Sequence, residues 1–200
     1  MSSLLTEALS LCNLAAVGIF GIVLSAAFCE IEWTRCRKLL LVGCTILMLA
    51  LQGVVSLRWG TGLARYLYPL ITHLPLWLLL AAMTRRALWP LVSVLTAYLC
   101  CQLRRWAALL VIALFPAGGT VLQDATELIV TLPILLVLIR WIAPSVRALS
   151  RSPLLLQLQF GMIPLLSYLF DYFTRIYTDL LSSGNQAAVE FMPFVCSLAY

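Results

Sequence analysis

Charge is scarce in this 200-residue chain: 10% of residues are Asp, Glu, Lys or Arg, 63% are hydrophobic, and the mean hydropathy is +1.03. A soluble globular domain carries roughly a quarter charged residues, so the composition excludes that class. The apolar stretches are continuous instead of alternating, which disfavours a transmembrane β-barrel. Histidine occurs once, and H-E-x-x-H, G-x-S-x-G, Walker A and zinc-ligand spacings are all missing, so catalysis has little support and no metal site or catalytic residue is expected. Cysteine occurs seven times but never as C-x-x-C, and mostly within apolar runs, where it reads as a small buried hydrophobe. Internal repeats and low-complexity tracts are missing too, and no basic segment precedes the first apolar run as a signal peptide would require.

What the sequence has is a succession of apolar runs long enough to cross roughly 30 Å of hydrocarbon. Lipid offers the backbone no hydrogen bonds, so each run must close its own, as a helix does. The expected fold is an all-α integral membrane protein: one transmembrane domain over 1–200, a polytopic bundle of about six to seven helices. Their expected ranges are 8–28, 39–57, 69–83, 87–115, 122–139, 153–170 and 191–200. The run 87–115 is long for one crossing and short for two, so it is either one tilted helix or a re-entrant hairpin followed by a short helix. The last run holds about ten residues, too few to cross, and reads as a truncated helix.

The net charge of +5 is dispersed as pairs and triplets between apolar runs, which suits topology signals and not a nucleic-acid face. Arg35, Arg37 and Lys38, then Arg85 and Arg86, then Arg140, Arg147 and Arg151 mark three cytoplasmic connections of a multi-pass cell-membrane protein, which leaves the N-terminus outside. Arg104 and Arg105 interrupt an apolar run. Arginine adjoins tryptophan at Arg58-Trp59, Arg105-Trp106 and Arg140-Trp141, so the pair is expected to snorkel to an interface beside its tryptophan.

Three further groups are candidates for ligand binding. His73, in "ITHLPL", is either a proton relay or ligand contact, or a neutral ring bonded to a carbonyl freed by Pro75. Asp124 and Glu127 share a helix face; they either complement the helix dipole in a first turn or receive a cationic group. Asp171, Tyr172, Arg175, Tyr177 and Asp179 open the longest polar segment, expected outside as a solvated loop or a recognition surface. Paired-aspartate proteolysis within the membrane is disfavoured, because Asp124, Asp171 and Asp179 map to helix ends or loops.

The strings "YLYPLITHLPL", "VLTAYLCCQLRRW", "DATELIVTLPILLVLIRWIAPSVR" and "DYFTRIYTDLLSSG…VEFMPFVCSLAY" resemble the membrane half of Gram-positive GHKL-type sensor histidine kinases, similar in plan to the receptor of the accessory gene regulator quorum system. The resemblance covers most of the chain through the texture of its hydrophobic segments and includes no catalytic motif. It implies a two-component receptor that senses an extracellular ligand, a peptide among the candidates, and transmits through its last helix within a homodimer. It also implies a following kinase domain that uses ATP and magnesium and addresses a response regulator; this segment itself would hold no cofactor. His73 does not match the family's phosphoacceptor, since it lies in an apolar helix. The alternative reading is the substrate-binding membrane subunit of a vitamin-type transporter, and a third is a structural membrane protein without a ligand.

Overall fold

The computed structural model of the protein describes residues 2–114 and 119–172. It contains six helices long and apolar enough to span a membrane, and no strand among the described residues: a multi-pass helical bundle. The expected final helix at 191–200, together with Arg175, Tyr177 and Asp179, lies outside the described residues.

Helix α1 is Ser2–Phe28 and α2 is Arg35–Gly60, entered through Thr34, whose hydroxyl accepts from the Arg37 amide at 3.3 Å. Such a cap satisfies one of the helix's orphan donors. Helix α3 is Gly62–Thr84. The stretch "RWGTGLARY", left between the expected helices 39–57 and 69–83, is instead helix on both sides of one kink at Gly60, where φ is 88° and ψ 162°. That backbone angle favours a residue without a Cβ, so the bend falls on the glycine and the helix resumes at once.

Pro75 shapes α3 as its chemistry requires. Proline has no amide hydrogen and its ring excludes the preceding carbonyl, so the turn before it, Pro69–His73, widens to π-type hydrogen bonding. The same device recurs in α5, Val121–Leu149, where Leu138–Ile142 is π-helical just before Pro144. Helix α5 therefore runs through the stretch expected to be a cytoplasmic loop, and Arg140 and Arg147 stand on helix. Helix α6 is Leu154–Tyr172.

Within the run expected at 87–115, Leu88–Leu114 form one unbroken helix α4, about 40 Å long at 1.5 Å per residue, so the re-entrant hairpin is excluded. Helix α4 is the axis of the bundle and packs against α1, α3, α5 and α6. By contrast α2 turns Leu39, Ile46, Leu47 and Leu57 outward as a lipid-facing surface.

The packed core gathers at one end of the bundle, around Phe20, Leu24, Phe28, Leu76, Leu80, Trp89 and Val92. That end carries Arg35, Arg37, Lys38, Arg85, Arg86, Arg147 and Arg151. The basic groups there, with Trp89, close a helix end. Arg147 donates to the Ala27 carbonyl at 3.1 and 2.6 Å, and the Trp89 indole to the Phe28 carbonyl at 3.1 Å, so the last turn of α1 is satisfied within protein.

Dispersion, with no hydrophobic drive between helices, holds such bundles together, so close backbone approach matters. Gly161 supplies it between α6 and α4: a Cβ there would stand 2.7 Å from Val92 Cγ2. Gly161→Ala is expected to cost about 1–3 kcal/mol. Val92→Ala in the same chain should recover much of the loss, as read by unfolding in mixed detergent; a Gly161→Ala variant as stable as wild type would contradict the tight α4–α6 contact.

Candidate functional site

Away from the arginine-rich end the six helices leave room between them. They surround a cavity of about 940 Å³, near the upper end of the range for small-molecule sites. Every helix contributes to its wall: Asn13 from α1, Ser56 from α2, Tyr68 and His73 from α3, Tyr98 and Arg104 from α4, Asp124 and Glu127 from α5, and Asp171 from α6. Small residues make the room. Gly18 and Gly21 stand on the α1 wall, and a Cβ on Gly18 would come within 2.8 Å of Leu49 Cδ2. Leu14, Val17, Ile22, Leu76 and Val94 supply an apolar floor and sides.

One side of the wall is a charge network. Arg104 is 4% exposed, and its Nη2 lies 3.2 Å from Glu127 Oε2, itself on a residue 6% exposed. Arg104 Nη1 donates to Asn13 Oδ1 at 2.6 Å and to the Thr131 hydroxyl at 3.2 Å. Asn13 Nδ2 in turn donates to Glu127 Oε2 at 2.8 Å and Asp124 Oδ1 at 3.0 Å. The asparagine amide can do both because it carries a donor and an acceptor, so it joins a cation on α4 to two acids on α5.

This network corrects two expectations. Arg104 is not an interface anchor; it is a buried partner in the bundle interior. Among the three Arg-Trp neighbours, Arg58-Trp59 and Arg140-Trp141 are exposed, as an anchor should be, whereas Arg105 and Trp106 are half-buried. Nor do Asp124 and Glu127 complement a first turn: the chain is already helical at Gly119, two residues ahead of the span Val121–Leu149, and no acid lies in the first described turn. Both acids are taken up by cross-helix partners instead.

The other side of the wall is aromatic. His73 Nδ1 lies 2.9 Å from the Tyr168 hydroxyl, and its ring meets Tyr68, Tyr98 and Tyr168 edge-on, with centroids 4.9, 5.4 and 5.3 Å away. The expected bond from His73 to a carbonyl freed by Pro75 is thus replaced by a side-chain partner on α6. Tyr98 donates to Asp171 Oδ2. Asp171 and Tyr172, expected in a solvated outer segment, are each 5% exposed and face the bundle interior, because α6 continues through both.

Four of the eight ligand-site candidates, His73, Asp124, Glu127 and Asp171, therefore converge on one cavity, with Tyr172 packed beside it. Sequence reasoning missed Asn13, Tyr68, Tyr98 and Arg104 as members of the site. The available signal was a polar side chain inside an apolar run, which in a membrane needs an interior partner. Among the described residues no group of three or more His, Cys, Asp and Glu is placed to hold a metal ion. Comparison of the chain with known protein families, curated proteins and solved structures finds no match.

Proposed function

We propose that the chain is the ligand-sensing membrane portion of a sensor histidine kinase, and that its ligand is an amphiphile with a cationic group, such as a short hydrophobic peptide with a free amine. The observation that carries this reading is that all six helices wall a single cavity. A guest there touches every helix, so it stabilises one arrangement of the bundle over another by its differential contacts, which is what a receptor needs. The charge balance among the described residues selects the guest: three lining carboxylates, Asp124, Glu127 and Asp171, face two guanidiniums, Arg104 and Arg105. One excess negative charge suits a single ammonium group, and the apolar floor suits its hydrocarbon body.

In this reading the arginine-rich end faces the cytoplasm and the cavity lies toward the outer surface. The resemblance in "THLPL" and "AYLCCQLRRW" supplies the kinase part: a homodimer, a following domain that uses ATP and magnesium, and a response regulator as its target.

Two measurements test the two halves of the proposal. With the protein in lipid nanodiscs, leucyl-phenylalanine amide is expected to raise the melting temperature by a few degrees at saturating concentration, and its N-acetyl form, which lacks the charge, is not. Asp124→Asn should abolish the shift; equal shifts from both compounds, or none, would overturn the cationic-ligand assignment. The coding sequence beyond Tyr200 is expected to specify a helix pair with a phosphoacceptor histidine and then an ATP-binding domain. A stop codon there, with ATP-driven uptake by cells, would instead favour the transporter subunit.

A further inference from the structure

A second pocket, of about 350 Å³, lies at the arginine-rich end between the α3–α4 turn and the α5–α6 turn. Its wall combines Arg86, Arg151, Ser150 and Gln157 with Leu88, Trp89 and Leu154, the opening residues of α4 and α6. We infer that this pocket binds a phosphate group at the membrane surface.

Four independent features point to that chemistry. First, two helix N-termini meet there. The first amides of a helix have no intrahelical acceptor, and the aligned peptide dipoles leave partial positive charge at that end, so an oxyanion is favoured. Second, both guanidiniums are exposed and keep donors that no described residue occupies. Arg86 uses Nη1 on the Ser150 carbonyl at 3.1 Å, and Arg151 uses Nε and Nη2 on Glu30. Third, the Ser150 side chain is a donor in waiting: the residue is 2% exposed, lines the pocket, and its Oγ has no hydrogen-bond partner among the described residues. A buried hydroxyl left unpaired costs free energy, and a phosphate oxygen would satisfy it. Fourth, no carboxylate is part of the described lining. Outside that lining, Glu30 pairs with Arg151, which holds its carboxyl below the usual carboxylate range, so it stays ionised and offsets the Arg151 charge; Arg86 and the two helix ends carry the remaining positive potential.

The scaffold holds these groups in place. Gln157 donates to the Ser150 carbonyl at 3.1 Å and the Ser152 carbonyl at 2.8 Å, which ties the α5–α6 turn to the first turns of α6. The Trp77 indole donates to the Ala87 carbonyl at 2.9 Å and ties the α3–α4 turn to α3. The turns are therefore presented as a formed cradle. A phospholipid headgroup and a free phosphate share the chemistry that this cradle recognises.

The test uses the whole chain, purified in mild detergent and also reconstituted in phosphatidylcholine nanodiscs with or without phosphatidylglycerol. Native mass spectrometry is expected to find one phosphatidylglycerol retained per chain, or inorganic phosphate alone is expected to raise the melting temperature of the delipidated protein. The first result identifies a lipid headgroup as the source and the second a free phosphate. In either case Arg151→Gln and Ser150→Ala should each weaken binding by about tenfold, the scale of one hydrogen bond to a charged group. Arg85→Gln removes an adjacent charge outside the pocket and should bind as wild type does. Ser150→Ala is the smaller change, and its melting temperature without phosphate checks that the fold is kept. Neither lipid retention nor a phosphate shift, or binding equal in wild type, Arg151→Gln and Ser150→Ala, would overturn the proposal.

Discussion

Arg104→Met is expected to destabilise the bundle by about 3–5 kcal/mol, because it removes one member of a buried pair and leaves the other charged. Glu127 would keep its carboxylate in an interior where only Asn13, Gln123 and its own surroundings remain to stabilise it. Methionine matches the length of the arginine stem, so the loss reports the guanidinium and not a cavity. The double variant Arg104→Met, Glu127→Gln should recover most of the stability, since the orphaned charge goes with its partner. Unfolding in mixed detergent of the wild type, both single variants and the double variant gives the coupling directly. A single Arg104→Met chain that unfolds with wild type would show that the guanidinium is solvated and not paired. The same variant enlarges the excess of negative charge in the cavity, so it should not lose affinity for a cationic guest when folded.

The second large effect lies at the opposite end of α4. Trp89 is 2% exposed, its ring stacks on Phe160 with centroids 6.2 Å apart, and its indole nitrogen closes the Phe28 carbonyl at the end of α1. One side chain thus joins α1, α4 and α6. Trp89→Ala is expected to cost about 3–5 kcal/mol, through lost dispersion contacts, a residual void and a carbonyl without its donor. Trp89→Phe keeps most of the volume and the stacking, so it should lose only about 1 kcal/mol, the scale of one hydrogen bond. Chemical or thermal unfolding of the two variants separates packing from hydrogen bonding; equal losses would assign the whole effect to the indole nitrogen.

How much of this was legible beforehand depends on whether a feature is local. The ranges 8–28 and 153–170 sit within α1 and α6 almost as expected, since an apolar run has one solution in lipid. Boundaries failed where helix passes through polar or proline-bearing sequence. "RWGTGLARY" reads as a turn from its two glycines, yet only Gly60 departs from helical angles. The connection that carries Arg140, Arg147 and Arg151 reads as a loop from its charge, yet a π-turn absorbs Pro144 and the helix continues to Leu149. In both places arginine and tryptophan at the membrane surface are compatible with helix, and the charge pattern marks where the chain meets water, not where the helix stops.

The sequence by itself determined the class of protein, the number of spans over the described residues, and which connections gather the basic groups, because these follow from run length and composition alone. Only the tertiary structure decided what the interior charges do. Arg104 and Arg105 are adjacent and chemically identical, and a helix turns by roughly 100° between them. Whether the first faces lipid headgroups or Glu127 and Asn13 depends on how α4 is rotated against α1 and α5. That rotation is set by packing across helices distant in sequence, with Asn13 and Arg104 91 residues apart, and no local pattern encodes it. Packing of the same kind turns His73, the Asp124–Glu127 pair and Asp171, members of three separate candidate groups, into the wall of one cavity.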